Sequence, residues 1–301
     1  VFDAGGIGGF TTNAFWGNDI IWGEWEYRKG VKIEASRFKG PELPNASPFS
    51  SPGVLYNGTI APLTSLGIKG FIWYQGESNE GRAHEYQTLF PELIKDWRRN
   101  FDQGDVPFLF VQLANYRQEV KVPEDSQWAE LREAQSFALQ EPNTGMAVAI
   151  DLGEANDIHP KNKEDVGKRL GKLALKIAYN RKLSAESPQF ETMEILNKKA
   201  VLSFNKIGKG LLNRNKYGYV RGFQIAGSDQ KFHFSKAKLK GGKIFVWADE
   251  VEKPVAVRYA WSDNPGELDI YNSNDLPLSP FRTDNWQIST EGNVFEDGPR
   301  F

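Results

Sequence analysis

Residues 67–80 read GIKGFIWYQGESNE. The apolar run Gly70-Phe71-Ile72-Trp73 has the character of a buried strand, and at Gln75 it breaks into a tight polar loop. Beyond the loop, Tyr86, Leu89, Phe90, Leu93, Ile94 and Trp97 fall at the spacing of one helix face within 82–98. Strand, polar turn and amphipathic helix make up the unit from which parallel α/β sheets are built. The unit recurs downstream. Apolar runs at 106–114 (VPFLFVQLA) and 145–151 (GMAVAID) predict two more buried strands. Val166, Leu170, Leu173 and Ile177 predict a helix over 163–179, and 126–140 reads as a weaker one.

This α/β pattern occupies 53–185. From 186 to 301 the helical period is gone, and short alternating runs take its place: AVLSF at 200, GYVRGFQIAG at 218, KIFVWA at 243 and VAVRYAW at 255. Turn residues separate them at intervals that suit a small β-sandwich. Residues 1–52 are irregular and rich in Gly, Pro, Ser and Trp. IIWGEWEY at 20–27 alternates like a strand, and 39–53 reads as a linker. GGIGGF at 5–10 lacks the Lys-Ser/Thr of a phosphate loop, so it reads as a glycine turn.

A chain of 301 residues has the length of about two domains. Its net charge of -2 argues against a nucleic-acid surface. No apolar run approaches the roughly 20 residues of a membrane-spanning helix. Without cysteine there are no disulfides, thiol nucleophiles or Cys-based metal sites. The three histidines, His84, His159 and His233, are too scattered to suggest zinc, and no cofactor motif is present. The chain begins at Val1, with Met146 and Met193 its only methionines.

Ligands of an open parallel sheet bind beyond the carboxyl ends of its strands. That edge would gather Gln75, Glu77, Asn115, Asp151 and His159. Ser78 has only the first half of a G-x-S-x-G elbow, so it reads as a loop or helix-cap serine. Gln75 has an amide suited to a developing oxyanion, though bonding to nearby backbone would account for it equally. Glu77 reads first as a residue that orders the loop by backbone hydrogen bonds, second as an acid or base. His159, before Pro160 and among Asp151, Glu154 and Asp157, suits a general base steadied by a carboxylate; the bland alternative is an exposed loop histidine. His84 and His233 have no evident chemical partner. The residues thus outline a hydrolytic site with a base and an oxyanion donor but no convincing nucleophile.

Several blocks together resemble the sialate O-acetylesterases, carbohydrate esterases of the SGNH-hydrolase superfamily. They are VLYNGTIAPL (54–63), IKGFIWYQGESNEGRAHEYQTLFPELIKDWR (68–98), PFLFVQLANY (107–116), WAELREAQ (128–135), NTGMAVAIDLGEANDIHPKNKEDVGKRL (143–170) and SPFRTDNW (279–286). The resemblance implies a flavodoxin-like α/β/α domain with flanking β-rich modules, residues 1–52 being the end of a β-sandwich insert and a linker. It implies His159 as catalytic base and Gln75 beside the oxyanion hole. Asp157 is the choice for orienting His159, since Asn156 stands three before the histidine where many SGNH enzymes have Asp; Asp151 and Glu154 are alternatives. Glu77 and Asn115 are expected to line the substrate site. The family's nucleophilic serine block has no match here, so the resemblance implies that Val1 is internal and that an upstream segment, in the same chain or a nicked one, carries the serine. The expected substrate is an O-acetylated sugar, sialic acid first, with acetylxylan or another acetylated glycan as the alternative. A non-catalytic glycan-binding protein is the alternative from another class. No metal or cofactor is implied, and a secreted or periplasmic setting is expected.

Overall fold

The computed structural model describes residues 53–295 and, ahead of them, two short antiparallel strands, β1 (Ala14–Trp16) and β2 (Asp19–Ile21). The expectations for the Gly-rich turn at 5–10, for 22–27 and for the linker at 39–52 lie outside the described residues. The chain divides into two units after Gly58, and the rest of this account concerns the second.

Three parallel strands follow in the order of the chain: β3 (Phe71–Trp73), β4 (Phe108–Gln112) and β5 (Thr144–Val148). The crossovers are helical: α1 (Ala83–Phe101) and α2 (Gln127–Phe137), with α3 (Lys163–Ile177) after β5. Alternate residues of each strand point to opposite faces, and the two faces have separate partners. Phe108, Phe110, Met146 and Val148 pack with α1 and α2 through Tyr86, Phe90, Ile94, Trp128 and Leu131. Leu109, Val111 and Ala147 pack with α3 through Val166, Leu170 and Leu173. The result is an α/β/α sandwich. One detail of the helix reading fails: Leu89 is exposed, because α1 turns its buried stripe toward Tyr86, Phe90, Ile94 and Phe101 instead.

Phe71 and Trp73 tie the first strand to α1. Their rings lie 5.3 and 5.5 Å from that of Trp97, both edge-on, the favoured arrangement for aromatic quadrupoles. Ile72, on the opposite face, is 67% exposed, and among the described residues β3 pairs only with β4.

Two four-stranded antiparallel sheets follow. The first contains β6 (Gln189–Leu196), β7 (Lys199–Asn205), β11 (Lys236–Lys240) and β12 (Lys243–Trp247), ordered β11-β12-β7-β6. The second is ordered β10-β9-β13-β15, from β9 (Phe223–Ala226), β10 (Phe232–Phe234), β13 (Ala256–Tyr259) and β15 (Phe281–Arg282). A further pair joins β8 (Leu211–Asn213) to β14 (Ile270–Asn272). Ala200, Leu202, Ile244 and Val246 from one sheet meet Phe223, Ile225, Val257 and Tyr259 from the other in a core continuous with the α1–α2 side of the α/β layer. The α1–α2 side of the α/β layer and the two antiparallel sheets accordingly share one hydrophobic core, and the α3 side has its own.

Candidate active site

The three parallel strands deliver their carboxyl ends to one edge. The loop after β3 is set by Gly76, whose φ of +156° and lack of a Cβ allow the Gln135 amide to approach; a Cβ there would lie 3.0 Å from Nε2. Gln135, fully buried on α2, donates to the Gln75 carbonyl at 3.2 Å and accepts from the Leu113 N–H at 2.9 Å. One amide thereby joins the ends of β3 and β4. The loop closes as a 3-10 turn over Glu77–Arg82, the Asn79 N–H bonding the Gly76 carbonyl at 2.8 Å.

Within this loop the Gln75 Nε2 donates to Asn79 Oδ1 at 3.0 Å, and Oε1 accepts from the Tyr86 hydroxyl at 3.3 Å. A primary amide has two N–H bonds. Asn79 takes one; the other has no partner among the described residues. The neighbours of Gln75 are side chains, not the local backbone that the bland reading supposed. The Glu77 side chain makes no hydrogen bond among the described residues, so it does not order the loop in the way expected of it. Its charge acts on two phenols instead. Burial, and after it the Glu77 charge, pushes Tyr74 up to about 12. Burial likewise raises Tyr86, Trp73 opposing and Glu77 adding to the shift. Ser78 is exposed inside the turn, and the N-cap is Gly76 rather than the serine.

The second loop, after β4, carries Asn115. Its Oδ1 accepts from the Gly153 N–H at 2.7 Å and its Nδ2 donates to Asn264 Oδ1 at 3.1 Å. Both ends of the amide are thus engaged in holding loops. Gly153 has no alternative: a Cβ there would lie 1.8 Å from the Asn115 carbonyl oxygen. Tyr116 and Glu154 form a parallel bridge one step further on.

The third loop leads from β5 to His159. Asp151 is taken up elsewhere. Arg169 grips it through two hydrogen bonds, at 2.6 and 2.8 Å, and the Tyr271 hydroxyl donates to it at 3.0 Å. Glu154 accepts from the Lys161 backbone N–H at 3.0 Å and its ammonium at 3.4 Å, closing the loop around the histidine. Asn156 accepts from Gln118 Nε2 at 2.7 Å. Of the acids nearby, Asp157 alone reaches His159: its Oδ1 accepts from the backbone N–H at 2.9 Å. The imidazole Nδ1 is 3.9 Å from that oxygen, beyond hydrogen-bond reach, and the side chain is 87% exposed. Asp157 therefore fixes the backbone of His159 and leaves the ring free to turn. Lys163, four residues on, places its ammonium 4.8 Å from the Tyr74 ring centre, which brings the start of α3 to the Gln75 loop. His84 and His233 take no part. The His84 ring is exposed, and its backbone N–H bonds Thr290; His233 lies in β10.

Support for this edge also comes from the β-rich half, which no local sequence pattern signals. Asp263 accepts from Arg117 at 2.6 Å and from the Ser126 hydroxyl at 2.5 Å, while its carbonyl takes the Tyr116 N–H at 3.1 Å. Asn264 holds Asn115 and also donates to the Arg117 carbonyl at 2.7 Å. Beneath them Arg132, fully buried on α2, donates to the carbonyls of Ala260, Ser262 and Asp263. Burial lowers its pKa against the pull of Asp263. The block 279–286 has a comparable task. Arg282 bonds Glu133 of α2 at 2.8 and 3.0 Å and Asp284 at 3.3 Å, and Arg258 grips Asp284 through two bonds of 2.9 Å. No His/Cys/Asp/Glu group among the described residues is arranged to hold a metal ion, and none of their helices is long and apolar enough to cross a membrane.

Comparison with known proteins gives this architecture relatives. Residues 46–176 match the model of the carbohydrate esterases described as sialic acid-specific acetylesterase. The chain is 33% identical over 277 residues to a sialate O-acetylesterase of Mus musculus, covering 79% of this chain and 48% of that protein. It is 32% identical over 267 residues to the sialate O-acetylesterase of Homo sapiens, covering 77% and 49%. Among solved structures, a carbohydrate acetylesterase from Xanthomonas citri matches with a TM-score of 0.73 and 46% identity, covering 77% of this chain and 54% of that one. Fold and matches together define a carbohydrate esterase architecture of the SGNH-hydrolase type. The chain is similar to the sialate O-acetylesterases, its residues 46–176 matching that family's model. It spans about half the length of the curated relatives it matches.

Proposed function

We propose that this chain carries the base and one oxyanion donor of a serine-type esterase that removes O-acetyl groups from sialic acid. The observation that supports it best is the convergence of the Gln75, Asn115 and His159 loops at one edge of the parallel sheet, within a chain similar to this family. In the proposed reaction a serine on a segment upstream of Val1 attacks the acetyl carbonyl. His159 takes the serine proton and returns it to the departing sugar oxygen, giving an acetyl-enzyme. The free N–H of Gln75 meets the tetrahedral oxyanion. Water, deprotonated by His159, then attacks the acetyl group, acetate leaves and the serine is regenerated. Asp157 holds the backbone position from which the imidazole swings, and its carboxylate is the candidate to steady the imidazolium once the ring turns toward it. Glu77 and Asn115 are assigned to the sugar side of the edge, Asn115 through the loops it fixes.

The upstream segment is proposed to pair along β3, whose second edge is open among the described residues and whose Ile72 is exposed. The 46% identity to a carbohydrate acetylesterase, higher than that to the curated relatives given above, favours a second reading in which the acetyl group comes from another glycan.

Acetate release tests both readings. The chain is assayed alone and with the upstream segment restored, on O-acetylated sialic acid and on acetylated xylan. The proposal expects release only from the restored protein, fastest from the sialic acid. Release by the 34.0 kDa chain alone would place the nucleophile within it. Preference for xylan would support the second reading.

A further inference from the structure

A cavity of about 450 Å³ opens in the β-rich half, where β9, β10, β11 and β12 come together. That is within the range of small-ligand sites. Tyr219, Phe234, Trp247, Ser235, Lys236 and Lys238 are in its wall. Tyr219 and Phe234 are exposed, and Tyr217, 71% exposed, stacks on Tyr219 with ring centres 6.2 Å apart and planes within 6°. Large aromatic rings left in water around a concavity mark a binding surface more often than a structural need. Flat rings beside polar groups suit the apolar face of a pyranose.

The charges in the wall narrow the ligand. Arg221, Lys236 and Lys238 are all basic, and no acid accompanies them there. Asp269 and Glu267 neutralise Arg221, and Asp249 bonds Lys236 at 2.6 Å. Lys238 has no ion pair among the described residues. Lysines on an edge strand such as β11 ordinarily serve to discourage pairing with other chains. That use does not account for the exposed rings beside them.

We propose that this cavity is a second saccharide site, which takes a pyranose of an acidic glycan with the ring against Tyr219 and the carboxylate toward Lys238. The site is independent of the esterase reading, because it recognises ring and carboxylate rather than the acetyl ester. The test is calorimetric titration of the chain with sialyllactose, which lacks O-acetyl groups, and with lactose. Expected is saturable binding of sialyllactose about tenfold tighter than of lactose. Tyr219→Ala and Lys238→Glu should each weaken it at least about fivefold, with unchanged thermal unfolding, whereas His159→Ala should bind as the parent does. No saturable binding, equal affinity for lactose, or affinity untouched by both wall substitutions would overturn the proposal. Each of those results leaves the acetate assay free to succeed or fail by itself.

Discussion

At the scale of single residues, the edge of the sheet separates groups poised for chemistry from groups consumed in holding it. Gln75 and Asn115 each keep one amide N–H without a partner among the described residues and His159 an exposed ring, whereas Asp151 has both carboxylate oxygens engaged. In the restored protein His159→Ala should abolish turnover, and near-normal acetate release would remove it from the mechanism. Gln75→Ala should lower kcat by about 10²–10³, the usual loss for one oxyanion donor. Ser78→Ala should leave the rate as it is. The histidine and the glutamine could be picked out in the sequence because their loops follow apolar strands. The different tasks of the acids could not be, since Asp151, Glu154 and Asp157 are alike in charge and all precede His159 in one loop. Only the position of Arg169, eighteen residues beyond Asp151, removes the first of them.

At the scale of elements, the decisive contacts are those between α2 and the β-rich half. Glu130, buried on α2, accepts four hydrogen bonds from the backbone and hydroxyls of Ser289 and Thr290, at 2.6–3.0 Å. Beside it Arg282 stands between Glu133 and Asp284. Replacing Arg282 with Met should cost up to about 3–5 kcal/mol, because the half-buried Glu133 loses its only bonded cation among the described residues while Asp284 keeps Arg258. Chemical denaturation would measure it. Asp284 also predicts a pH dependence. Burial would raise its pKa, but the Arg258 hydrogen bond and the charges of Arg258 and Arg282 outweigh burial and hold it below the usual value. A depressed carboxyl stabilises the fold fully above its unfolded pKa, here 3.8, and the contribution is lost as the pH falls through the lower folded value. Glu133 opposes this, since burial raises its pKa in spite of Arg282. Comparison of the parent with Asp284→Asn isolates the Asp284 part, and the stability gap between them should shrink below that pH. A gap independent of pH would show that the ion pair contributes nothing.

At the scale of the whole molecule, the β-rich half is joined to the candidate site through Asn264, Asn115 and Gly153 in series. Gly153→Ala puts a methyl where the Asn115 carbonyl already is, so it should lower both the melting temperature and the acetate-release rate of the restored protein. Asn264→Ala should act in the same direction and more mildly, because it removes hydrogen bonds without adding a clash. The open side of β3 makes a separate prediction. Backbone amides of Phe71–Trp73 should exchange more slowly once the upstream segment is present, and unchanged exchange would argue against strand addition there.

By itself the sequence determined the alternation of strand and helix from 67 to 177, the change to short strands after 185, and the sheet edge to which the Gln75 and His159 loops lead. Those features are written in hydrophobic period, and a period needs only neighbours in the chain. The tertiary structure decided what periodicity does not encode. It chose Asp157 for the His159 backbone, bound Asp151 to Arg169, and brought residues 260–264 beneath a loop nearly 150 positions earlier. Such contacts depend on where separate elements come to rest against one another. That is fixed by the packing of the shared core, whose energy is spread over many side chains and belongs to no local stretch.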